Sequence, residues 1–185
     1  VNERAVIDHT RRWIASVVIG LDLCPFARRV FEGGKIRYRV SDARDEVALL
    51  EDLRGELKTL VSPDSNAETT LLIHPHALGN FLDYNDFLDA GDRLIANLGL
   101  RKAVQIASFH PDFQFAGVDP LAVENFTNRS PYPMLHLLRE ASISAVAADP
   151  NELLDIPRRN VETLKDLGRE KMRDKLRALK DNAEG

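Results

Sequence analysis

Residues 105–140 read QIASFHPDFQFAGVDPLAVENFTNRSPYPMLHLLRE, and the fold turns on how this stretch divides. The run up to Phe109 is apolar and strand-like, and it stops at His110-Pro111. A long connection rich in Asn, Asp, Pro and aromatic residues follows. Connections of this length in a compact domain are usually functional or disordered. Phe113, Phe115, Phe126 and Tyr132 argue against disorder, because a solvated linker has no use for that apolar area. Asn128-Arg129-Ser130-Pro131 then reads as the entry to a helix, with Ser130 as cap and Pro131 at its first position. That helix is expected to run to about residue 147, with Met134, Leu137, Leu138 and Ala141 facing inward.

The segments before this stretch set its context. Val6, Trp13, Val17 and Leu21 recur at helical spacing, so residues 3–20 are expected to form an amphipathic helix. Pro25 suits the first position of a short helix capped by Cys24. Ile36–Val40 alternates with period two and reads as a strand. Ser41 or Asp42 is expected to cap a helix over 43–61, with an inward stripe of Val47, Leu50, Leu53, Leu57 and Leu60. Thr69–Ile73 is a second strand, residues 80–98 a second long helix, and Ala103–Phe109 a third strand. Asp83, Asp86, Asp89 and Asp92 recur three apart as a solvated face. A short helix begins at Asp149-Pro150, and Pro157 restarts the chain into a last helix.

A β-α-β-α-β order implies parallel pairing. The expected fold is therefore α/β: a small, mainly parallel sheet of three or four strands flanked by helices, with a helical C-terminal region. A fourth strand could lie at Phe113–Phe115. Residues 1–185 read as one domain, with 168–185 as a charged helical tail.

Ligands of parallel sheets usually sit outside the carboxyl ends of the strands. Ile73-His74-Pro75 and Phe109-His110-Pro111 both end strands, so His74 and His110 are expected on one rim. There His110 would act as general acid or base, helped by His74. Cys24, at a helix start beside Arg28 and Arg29, would be a nucleophile; its bland alternative is a small buried hydrophobe. Arg129, Asn128, Tyr132 and Asn125 would hold an anionic group beside a helix N-terminus, although Asn and Ser are also ordinary caps. His136 and Glu140 are four apart and would share a helix face.

The composition narrows the classes. The formal net charge is −4, with 44% hydrophobic and 29% charged residues, which argues for a soluble protein without broad affinity for nucleic acid or anionic membranes. No apolar run is long enough for a membrane span, and no signal-peptide pattern opens the chain. One cysteine excludes an intrachain disulfide, and a cytoplasmic location is expected. No zinc spacing, P-loop, dinucleotide fingerprint or Gly-x-Ser-x-Gly elbow is present, so no cofactor or metal is indicated.

Five segments carry a resemblance: Leu23–Ala27, His74–Leu78, Asp83–Leu88, Ser108–Gly117 and Asn128–Glu140. In these the chain resembles domain-of-unknown-function family 1415. The resemblance implies a one-domain bacterial protein and no stated activity. The leading expectation is an enzyme acting on a small anionic metabolite. The alternatives are metal binding through His74, His110 and Cys24 or Asp112, and a non-catalytic ligand-binding or interaction module.

Overall fold

The computed structural model describes residues 2–144 and 150–181. The chain begins with α1 (Glu3–Trp13), which passes without a break into a π-helical segment (Ile14–Ile19). The short α2 (Ala27–Glu32) leads to β1 (Ile36–Val40), α3 (Glu46–Val61), β2 (Thr69–Ile73), α4 (Phe81–Asn97) and β3 (Val104–Phe109). A 3-10 turn (Val123–Thr127) precedes β4 (Met134–Arg139), which runs into α5 (Glu140–Ser144). The chain ends in α6 (Pro150–Leu167) and α7 (Arg169–Asp181). Asp149, expected at the start of a helix, lies outside the described residues.

The α/β class and the flanking helices are as the sequence implies. The pairing is not mainly parallel. The sheet order is β1-β2-β4-β3, and only β1 and β2 pair in parallel. The reason lies in residues 134–139, which form a strand rather than the expected helix. β4 inserts between β2 and β3 and runs antiparallel to both. Met134, Leu135 and Leu137 are buried on both faces of this central strand. A short, nearly continuous apolar run of that kind looks alike in a buried strand and a buried helix. Phe113–Phe115 forms no strand.

β1, β2 and β3 nevertheless point the same way. Ile73 and Phe109 both pair with Met134, so their successors, His74 and His110, leave the sheet at the same edge on either side of β4. The common rim thus follows from strand direction, not from parallel neighbours.

Two apolar layers sandwich the sheet. On one face α3 and α4 cover Leu72, Leu135 and Leu137 with Leu49, Leu53, Leu57, Leu60, Tyr84 and Phe87. On the other, α1, α6 and α7 bring Val6, Trp13, Leu164, Met172 and Leu179 over Leu71, Ile73 and Met134. Alternation along each strand sends neighbouring residues to opposite layers. α7 is therefore docked, with Met172 and Leu179 buried, rather than a free charged tail.

Several boundaries differ from expectation. Asp45, not Ser41 or Asp42, caps α3 by accepting from the Ala48 amide at 2.9 Å. Val47 is exposed and Leu49 takes its place in the core. Asn80 caps α4, and all four of the aspartates at three-residue spacing are exposed. Pro157 lies inside α6 rather than restarting it, and the break comes at Gly168, whose φ of 83° a side chain would oppose. Among the described residues no helix is long and apolar enough to cross a membrane.

Candidate functional site

The rim histidines meet around Tyr84. Its ring lies between the two imidazoles, 5.8 Å from His74 and 5.1 Å from His110 by centroids. Phe81 adds a contact to His110 at 5.5 Å, and Phe113 packs on Phe81 at 5.3 Å. Both histidines and Tyr84 are fully buried. The sequence expectation of a shared rim is met in position, but the rim is filled by aromatic rings.

Hydrogen bonding occupies most of the chemistry there. His110 Nε2–H donates to the Leu78 carbonyl at 3.1 Å, and its Nδ1 accepts from the Asp112 amide at 3.0 Å. Leu78 has a φ of 53°, unusual for a branched side chain, so the imidazole braces a strained turn. His74 Nδ1–H donates to the Ala77 carbonyl at 3.0 Å, which leaves Nε2 as a buried lone pair with no partner among the described residues. Burial holds the His110 pKa below its ordinary value and takes that of His74 down to about 4. The Tyr84 hydroxyl donates to the Met134 carbonyl at 2.9 Å and accepts from the Phe109 amide at 3.0 Å. It thereby closes the last rung between β3 and β4.

The expected anion clamp is absorbed into the loop. No helix begins at Pro131, so the helix N-terminus that would have supplied N–H groups is not there. Asn128 Nδ2 donates to Ser108 at 3.0 Å. Asn125 is buried, accepting from the Phe115 amide and donating to the Asp119 carbonyl. Arg129 donates to the carbonyls of Phe113 and Pro120 and lies over the Phe126 ring at 4.6 Å. Tyr132 shares a 2.7 Å hydrogen bond with His9 and packs under Lys180. These four side chains hold the long connection and tie it to α1 and α7.

Cys24 lies on the other face of the sheet from His74 and His110. α2 starts three residues after it, so Cys24 is not its cap. Asn160 of α6 fixes the preceding turn by donating to the Leu23 carbonyl at 2.9 Å. Burial pushes the thiol above its ordinary pKa, and Asp22 adds to this; the amides of Phe26 and Ala27 pull the other way but do not win. Arg28 and Arg29, expected to activate the thiol, pair instead with Glu32 and Glu68.

A family model described as "Protein of unknown function (DUF1415)" matches residues 5–174. The chain belongs to this family. No curated protein matches it, and neither does any solved structure. In this DUF1415 chain the matched span takes in both the aromatic rim and the opposite sheet face, where Cys24 opens into a cavity of about 300 Å³. Its floor is the sheet, with Leu71, Ala107, Phe109 and His136. Trp13, Ile14 and Val18 form the roof, and Arg29 and Glu68 stand at its edge.

The roof comes from the junction of α1 with the π-helical segment. A π turn widens the helix by one residue and re-aims the side chains around it, and such turns often mark functional sites. Nothing in IASVVI announces this widening, which is why a plain helix was expected. His136, assigned to a helix face on sequence, joins Thr69 as a polar residue of the cavity floor. Thr69 Oγ1–H donates to the Leu137 carbonyl at 2.7 Å, so the 2.6 Å contact with His136 must be donation from Nε2–H. That tautomer leaves Nδ1 an acceptor, with no partner among the described residues. Burial takes the His136 pKa down to about 4. Among the described residues no group of three or more His, Cys, Asp or Glu side chains could hold a metal ion.

Proposed function

We propose that this DUF1415 protein binds a small, mainly apolar molecule between its sheet and N-terminal helix, with Cys24 and His136 as the polar contacts. The cavity carries the proposal. Its volume of about 300 Å³ falls at the lower end of the range for ligand sites, and its walls are mostly apolar with few polar groups, as such sites are. The thiol and the imidazole are both neutral at physiological pH, which suits hydrogen bonding to a ligand better than nucleophilic attack. The test uses Trp13, the sole tryptophan, which lines the cavity. Titration with 1-octanol should change its fluorescence saturably. Ala107→Leu should abolish that response while leaving the circular dichroism spectrum and cooperative unfolding intact. An unsaturable response, or one that Ala107→Leu leaves untouched, would end the proposal.

The orphaned Nε2 of His74 favours a second reading, in which His74 and His110 carry acid–base chemistry on an anionic metabolite at the rim. Phosphate and small carboxylates should then move the imidazole NMR signals of both residues. Signals that stay fixed at saturating anion sink it.

A further inference from the structure

The cavity has an apolar body and a charged lip, with further cations close to that lip. Arg29 of α2 grips Glu68, the residue just before β2, by two hydrogen bonds, Nη1 to Oε1 at 2.9 Å and Nη2 to Oε2. Both side chains are partly open to solvent, 49% and 25% exposed, and both line the cavity. The pair uses one edge of the guanidinium. Its Nε edge has no partner among the described residues, and a guanidinium can take a second carboxylate there. Lys35 is held close by its backbone, because the Glu68 amide donates to the Lys35 carbonyl at 2.9 Å. Arg29, Lys35 and Arg139 together hold the Glu68 carboxyl below the ordinary carboxylate range. Among the described residues Lys35 forms no ion pair. Of these charged groups only Arg29 and Glu68 line the cavity, but Arg29, Lys35 and Arg139 around the one Glu68 carboxylate leave an excess of positive charge beside it.

We infer that the ligand is an amphipathic carboxylate, whose hydrocarbon or aromatic body fills the cavity while its carboxylate rests on the free edge of Arg29 beside Lys35. This deepens the proposal that the cavity is the binding site and rests on it. A carboxylate there replaces solvent on cations already drawn together by Glu68, so no buried charge is left unpaired. An ammonium head group would meet Arg29 and Lys35 with only Glu68, already engaged, to receive it. A neutral head group would gain nothing from the lip.

The experiment titrates octanoate, 1-octanol and octylamine into the full chain, read by Trp13 fluorescence and calorimetry at low and high salt. Octanoate should bind about tenfold more tightly than octanol at low salt, with the ratio falling as salt screens the lip. In Arg29→Gln the octanoate-to-octanol ratio should collapse towards one. This arginine is solvent-exposed, so the variant should keep its fold, and Lys35→Gln gives an independent, smaller reduction of the ratio. Octanol binding as tightly as octanoate, or octylamine binding tightest, would overturn the carboxylate assignment while leaving the cavity as a binding site. Failure of octanol to bind saturably, alone or with the other probes, would overturn both.

Discussion

Acid should weaken this fold through histidines that are buried neutral, and His74 gives the cleanest measure. Its imidazole is fully buried against Tyr84 and titrates at about 4, against 6.5 for the free side chain. The folded state therefore holds the neutral form. The resulting stability is complete above 6.5 and is lost as pH falls from there towards 4, where the folded protein takes up the proton itself. At pH 5 the unfolded chain has gained about 1.5 pH units of protonation free energy that the folded one has not. At about 1.4 kcal/mol per unit this is about 2 kcal/mol from His74 alone. Set against a total stability of about 5–15 kcal/mol, that is a large share. His136 shifts the same way, to about 4, and the lowered pKa values of His9 and His110 share the sign. Glu68 and Asp155 lose their stabilisation only below the ordinary carboxylate range and stay outside this window. Urea unfolding at pH 7.5 and pH 5.0 measures the total. His74→Phe keeps a ring on Tyr84 but cannot titrate. Whatever it does to absolute stability, its loss between the two pH values should be smaller than wild type by about 2 kcal/mol. Equal losses in the two proteins would show that His74 is not held neutral by burial, and would refute the reasoning.

Tyr84→Phe removes the hydroxyl that closes the β3–β4 ladder, a loss of about 1–2 kcal/mol that should lower the melting temperature by about 2–8 °C; an unchanged melting point would mean that the strands close directly. His110→Ala deletes a buried ring, its donation to Leu78 and its acceptance from Asp112, and should cost about 2–4 kcal/mol in urea unfolding. A cost under about 0.5 kcal/mol would free His110 for the catalytic role expected from sequence. Cys24 should react with iodoacetamide slowly, with a pH midpoint above that of a free thiol, and octanoate should slow it further; fast reaction at neutral pH would contradict the direction of its shift.

The residues that sequence reading placed well are those whose signal is local. The apolar periodicity of α4, the run of leucines on α3, the period-two alternation of β1 and the His-Pro ends of β2 and β3 all act within a few residues of themselves. β4 was illegible for the opposite reason. Ser130-Pro131 has the chemistry of a helix start, but Ser130 donates to the Tyr132 carbonyl at 2.7 Å and the chain turns into the sheet instead. What decides its conformation is the vacant position between β2 and β3, a tertiary fact that no window of residues contains. That single misassignment carried others with it. It made the sheet appear mainly parallel, put His136 on a helix surface, and supplied a helix N-terminus for an anion that Arg129 and Asn128 were then given to hold.

The same strand accounts for the difference between the two faces of the sheet. Towards α4, β4 presents Leu135 and Leu137, while the strand ends bring His74 and His110 to Tyr84, and the rings close the layer. Towards the N-terminal helix it presents Met134 and His136. Met134 is covered by the core formed with Trp13 and Leu164, but His136 lies two residues on, under the junction where α1 widens into its π-helical segment. A histidine there cannot complete a dry layer, because its Nδ1 needs a donor that neither helix nor sheet provides. An apolar residue at 136 would close the floor without a polar contact to satisfy. The combination of a small Ala107 beside it, a widened helix above it and a thiol at the edge leaves room and an acceptor open to the cavity together. Space alone would be a packing defect, and an open acceptor alone would simply be solvated. Together they fit the size and polarity of the proposed ligand, and the cations around Glu68 fit its sign.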